Sequence, residues 1–214
     1  MTPEKRPPGE REKAPPPREF PRFVVMGTSL GGLAALKTVL SALPADFPFP
    51  VVAVQHRQPG TEDRLSALLG SVCALPVCEA EDKEPIVPGR IYLAPADYHL
   101  LVEGDHLALS VDEPLEYARP SIDVLFESAA AAHGDRVVGV ILTGANDDGA
   151  RGLAAVKEGG GIAVVQDPST AEAPRMPRAA LDAVKADAVL PVESIGPFLA
   201  NLTGRERRLG DVRP

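Results

Sequence analysis

The sequence predicts an α/β fold: a doubly wound, mostly parallel sheet with helices on both faces and one antiparallel hairpin. Three observations predict it. Near-continuous apolar runs rich in β-branched residues occur at 23–27, 49–55 and 137–142, the pattern of strands buried on both faces. Helical periodicity fills segments between them, and strand–helix–strand alternation gives parallel pairing through right-handed crossovers. Glu103-Gly104-Asp105, set between two apolar stretches, marks the hairpin.

Phe23-Val24-Val25-Met26-Gly27 is the first strand. Leu33, Leu36, Val39, Leu40 and Leu43 recur at helical spacing, which predicts one inward face, and Pro44 ends that helix. The run Phe49 to Gln55 is a central strand that delivers His56 at its carboxyl end. A short helix at 62–70 is expected to turn Leu65, Leu68 and Leu69 inward. A strand within 72–79, a turn at 85–89 and a strand at 90–94 follow. The hairpin strands are 99–102 and 107–111. A helix spans 121–133 with Ser121 as its N-cap. The strand at 137–142 ends at Thr143-Gly144. A helix at 148–158, a strand at 161–166, a helix at 177–184, a short strand at 189–190 and a helix at 194–203 complete the domain.

Residues 1–20 differ from the rest. Pro3, Pro7, Pro8, Pro15, Pro16 and Pro17 are interleaved with charges, and such a segment cannot bury enough apolar surface to offset its ordering entropy. The expected organisation is a disordered tail at 1–20, one folded domain at 21–204 and a frayed, charged terminus at 205–214. The 214 residues are 44% apolar, enough for an ordinary core. A net charge of −8 and the lack of tryptophan argue against a nucleic-acid partner. Cys73 and Cys78 are too few for a disulfide framework or a zinc site, and both read as reduced. No apolar run reaches membrane-spanning length and no signal core opens the chain. A cytoplasmic protein without membrane insertion is the expectation.

Ligands on such sheets bind beyond the carboxyl ends of the strands. Three candidates collect there: Ser29, His56 and the loop Thr143 to Gly149, which carries Asp147 and Asp148. Ser29 stands on a tight strand-to-helix turn among Gly27, Gly31 and Gly32, the setting of a nucleophile elbow. The same turn also fits simple packing or a phosphate held at the helix N-terminus. Serine needs a base to take its proton, histidine suits that task, and a carboxylate orients the imidazole. Asp147 and Asp148 taken alone read first as helix caps. His99, His106 and His133 fall at hairpin or helix ends and read as surface residues.

These residues lie in stretches that resemble the catalytic domain of the chemotaxis receptor methylesterases, the CheB family. The matching stretches are Gly27-Thr28-Ser29-Leu30-Gly31-Gly32, Val54-Gln55-His56, Tyr92-Leu93-Ala94-Pro95, Arg119 through Phe126, Leu142-Thr143-Gly144 through Asp148-Gly149, and Met176-Pro177-Arg178. The resemblance implies a catalytic triad of Ser29, His56 and Asp148 that hydrolyses γ-glutamyl methyl esters on the cytoplasmic helices of methyl-accepting chemoreceptors. It also implies deamidation of receptor glutamines, and no metal or organic cofactor. Arg119 and Arg178 match family positions near the site, as substrate or loop anchors or as structural ion pairs.

Two departures stand out. Family members typically carry a receiver domain, which needs roughly a hundred residues, whereas about 20 precede the domain here. That argues against phosphorylation control in its usual form and leaves room for a separate regulatory protein. Leu30 and Ala145 stand where well-known members have threonine and methionine. Two other readings compete. A nucleotide-binding domain would imitate Gly27-x-Ser29-x-x-Gly32 but needs a ribose-binding carboxylate after the second strand, where Gln55-His56 stands. A non-catalytic docking protein on the same fold is the other: the intact triad residues argue against it, and Leu30 and Ala145 keep it open.

Overall fold

A computed structural model describes residues 22–57, 64–115 and 117–210 of the chain. The expected tail at 1–20 and residues 211–214 lie outside them. Seven strands form one parallel sheet: β1 (Phe23–Thr28), β2 (Val51–Gln55), β3 (Val77–Glu79), β4 (Ile91–Leu93), β7 (Val137–Ile141), β8 (Ile162–Gln166) and β9 (Ala188–Leu190). Their order is β3-β4-β2-β1-β7-β8-β9. A separate antiparallel pair, β5 (His99–Glu103) and β6 (His106–Ser110), is the predicted hairpin.

The central strands are apolar along their whole length because both faces are covered. Phe23 and Val25 of β1 point into one core, and Val24 and Met26 into the other. The first core is closed by α3 (Ile122–His133), α4 (Ala150–Glu158), α5 (Arg175–Ala183) and the hairpin, through residues such as Phe126, Leu153, Met176 and Leu100. The second is closed by α1 (Gly32–Ser41), α2 (Leu65–Gly70) and α6 (Val192–Gly210), through Leu36, Leu40, Leu69, Ile195 and Leu199.

This layering positions the site. From β1 the chain runs into α1 on one face, whereas from β7 it runs into α4 on the other. The neighbouring carboxyl ends of β1 and β7 therefore diverge and leave a crevice, the topological switch point of the sheet.

Four expectations are corrected. Leu33 and Leu68, placed inward by periodicity, are 42% and 45% exposed. His99 and His133, read as surface residues, are 3% and 7% exposed. The hairpin lies flat on α3, which covers His99, and His133 stacks on Phe23 with ring centroids 4.8 Å apart. Ser121 occupies the N-cap position of α3 but its side chain makes no capping bond. The last helix runs from Val192 to Gly210 rather than stopping near 203. No described helix is long and apolar enough to cross a membrane.

Candidate active site

The ends of three strands are fastened to one another. Ser29 N–H donates to the Thr143 carbonyl (3.0 Å), and the Thr28 hydroxyl donates to the same oxygen (2.8 Å). His56 N–H donates to the Thr28 carbonyl (3.1 Å). The Gln55 amide nitrogen then donates to the carbonyls of Ser29 (2.8 Å) and His56 (3.0 Å). These bonds fix Ser29, His56 and the 142–149 loop as one unit.

Beyond Ser29 the chain turns sharply into α1. Gly31 sits at φ 78°, a left-handed conformation that costs glycine little. The N–H groups of Leu30 and Gly31 donate to no acceptor among the described residues. They lie at the positive end of the helix dipole, where an anion is favoured.

His56 Nε2 lies 2.7 Å from Asp148 Oδ2. Asp148 is 3% exposed and is fully engaged. The same oxygen accepts the Ile122 N–H (2.7 Å), while Oδ1 accepts the Ser121 hydroxyl (2.9 Å) and the Asp123 N–H (3.0 Å). Burial alone pushes the Asp148 carboxyl up. The His56 contact and the N–H donors of Ile122 and Asp123 outweigh burial together and hold it below the usual carboxylate range. An ionised carboxylate only accepts, so in a neutral ring this contact calls for the proton on Nε2 and leaves the Nδ1 lone pair available. Asn146 Nδ2 approaches Nδ1 at 3.5 Å, too far for a strong hydrogen bond.

Ser29 and His56 line one cleft of about 710 Å³ together with Leu30, Leu33, Gln55 and Leu68. The exposed Leu33 and Leu68 are thus walls of this cleft. The Ser29 hydroxyl makes no hydrogen bond to His56 within the described residues, a contact that often forms only with substrate bound.

Asp147 neither caps α4 nor reaches His56. Its carboxylate forms a two-point ion pair with Arg175 (2.8 and 2.9 Å) in solvent, which holds its carboxyl below the usual range. Arg119 spans Asp97 (2.7 Å) and the carbonyls of Val111 and Asp112, so its guanidinium braces loops. Arg178 is exposed in an open groove with Asp147, Arg175 and Asp182. Sequence reasoning missed the parts played by Gln55, Ser121, Asp123 and Thr143. Ser121 and Asp123 looked like the ordinary start of a helix, and nothing local announces a carboxylate arriving from Asp148.

The family model described as CheB methylesterase matches residues 24–199. A Leptospira interrogans protein, provisionally named a protein-glutamate methylesterase/protein-glutamine glutaminase, is 47% identical over 84% of this chain and 93% of its own length. A Caulobacter vibrioides protein-glutamate methylesterase/protein-glutamine glutaminase is 42% identical over 83% of this chain, which spans only 53% of that relative. The crystal structure of the Thermotoga maritima CheB methylesterase catalytic domain superposes with a TM-score of 0.81 at 36% identity, covering 85% of this chain and 98% of that one.

Proposed function

The chain belongs to the CheB methylesterase family, and from that premise we propose that it is a serine hydrolase of chemosensory signalling that demethylates chemoreceptor glutamyl esters. The same centre converts receptor glutamine to glutamate. The observation that carries this reading is the 2.7 Å contact of His56 Nε2 with the buried Asp148, beside the cleft that holds Ser29.

Ser29 attacks the ester carbonyl as His56 Nδ1 takes its proton, and Asp148 stabilises the imidazolium through Nε2–H. The tetrahedral oxyanion is met by the unpaired N–H groups at Leu30 and Gly31. Collapse of the intermediate expels methanol, protonated from His56, and leaves an acyl-Ser29. Water then attacks that acyl group by the same proton path, giving receptor glutamate and free Ser29. With a carboxamide substrate the leaving group is ammonia.

The test is methanol release from a methylated receptor fragment, with ammonia release from its glutamine form. Wild type should release both, and Ser29→Ala neither while keeping its fold. Wild-type rates from Ser29→Ala would overturn the reading.

A further inference from the structure

Asp148 and Asp123 exchange helix caps. Asp148 Oδ1 accepts the Asp123 N–H at 3.0 Å and Oδ2 accepts the Ile122 N–H at 2.7 Å, so Asp148 caps α3. In return, Asp123 Oδ1 accepts the N–H of Gly149 at 2.9 Å and of Gly152 at 2.7 Å, so Asp123 caps α4. Gly149 directly follows Asp148. The two carboxylates therefore close a ring through the backbone of both helix starts. Each satisfies donors that a helix terminus cannot satisfy from within.

The packing around the ring leaves little room for substitutes. Asp123 is 5% exposed. A Cβ on Gly152 would lie 2.6 Å from Phe126 Cβ and 3.0 Å from Asp123 Cα, so the two helices meet where α4 has no side chain. The charged groups facing Asp123 are Asp148 and Arg151, whose Nη2 lies 3.6 Å from Oδ2, with Glu127 beyond it at 2.6 Å from Arg151 Nε.

We propose that Asp123 is a positioning residue for the acid of the triad, its carboxylate oxygen clamping Gly149 and Gly152 so that Asp148 keeps its aim at His56. Asp123 touches neither His56 nor the cleft, so it acts only through Asp148. This role rests on the assignment of Asp148 as the orienting acid. Without Asp123 two buried N–H groups lose their acceptor, and the segment carrying Asp148 loses its anchor. A misplacement of about 1 Å in a catalytic group costs roughly 100-fold in rate, which sets the upper scale of the loss expected here. Both bonds land on one oxygen, so an asparagine carbonyl can reproduce them without the charge.

The experiment compares Asp123→Ala, Asp123→Ser and Asp123→Asn with wild type in steady-state hydrolysis of the methylated receptor fragment. Amide exchange at Ile122, whose N–H is held by Asp148, is followed alongside by NMR. Asp123→Ala should lose up to about 100-fold in kcat with KM unchanged, and Ile122 exchange should accelerate. Asp123→Ser should fall between, and Asp123→Asn should restore both readouts. Should Asp123→Ala fail to fold, the Ser and Asn variants carry the comparison. A wild-type kcat with unchanged Ile122 exchange in the Ala or Ser variant would overturn the proposal, as would an Asn variant no better than Ser. If wild type itself releases no methanol, the functional reading falls, while exchange at Ile122 still decides whether Asp123 holds Asp148.

Discussion

His56 presents Nε2, not Nδ1, to Asp148, at 2.7 Å. Chymotrypsin-type enzymes use the ring the other way, with Nδ1 on the carboxylate and Nε2 on the serine. The difference follows from the fold: the imidazole leaves the end of β2 with Asp148 approaching from the α3–α4 side and Ser29 from β1. The neutral ring should therefore carry its proton on Nε2. Long-range nitrogen–proton correlation NMR on histidine-labelled protein checks this, and a proton found on Nδ1 would contradict the assignment of Nδ1 as the base.

Asp148 and Asp147 are adjacent but sit in opposite environments. Asp148 is 3% exposed and accepts four hydrogen bonds, whereas the Asp147 and Arg175 side chains are 51% and 66% exposed. Asp148→Asn should lose up to about four orders of magnitude in kcat, as when the orienting carboxylate of other Ser-His-Asp enzymes is removed, and should melt lower, because its amide NH2 faces a buried N–H whichever way it lies. Asp147→Asn breaks only an exposed ion pair, which is worth at most about 1 kcal/mol, and should keep most of its turnover. Steady-state ester hydrolysis beside melting temperatures separates the two. A dead Asp147→Asn with an active Asp148→Asn would contradict the site.

The two exchanged carboxyls should act on stability with opposite signs. Asp148 is held below its unfolded value, so its contribution is present above the usual carboxylate range and is lost as pH falls through the folded pKa. Burial, with Asp148 nearby, pushes the Asp123 carboxyl up, so its contribution is present below the unfolded value and is lost as pH rises through the folded pKa. Below about 3.9, the ordinary value for aspartate, the melting-temperature gap between wild type and Asp148→Asn should shrink as pH falls. Above about 3.9, the gap between wild type and Asp123→Asn should grow as pH falls. Equal slopes for the two variants would contradict the opposed shifts.

The layered fold was legible because the β1, β2 and β7 runs are continuous in apolar residues, a pattern that only strands covered on both faces require. Ser29, His56 and an acid in the 143–149 loop were legible as residues at the ends of those strands. Periodicity reports which residues are apolar but not what they face, so Leu33 and Leu68 were assigned to the core although they line the cleft. His99 was misread because the hairpin sequence does not say that α3 will cover one of its faces. The cap exchange was invisible for a similar reason. Asp123 and Asp148 are 25 residues apart, and each helix start looks complete when read alone.

The proposed chemistry requires Ser29 to be a nucleophile activated by His56 and Asp148. Labelling with a fluorophosphonate, followed by peptide mass spectrometry, tests it most directly, since the reagent reports covalent attack without any receptor. One phosphonyl adduct is expected on Ser29 in wild type, with labelling severely slowed in both His56→Ala and Asp148→Asn because triad members act as a unit. An unlabelled Ser29, or a Ser29 labelled at the wild-type rate in His56→Ala, would contradict it.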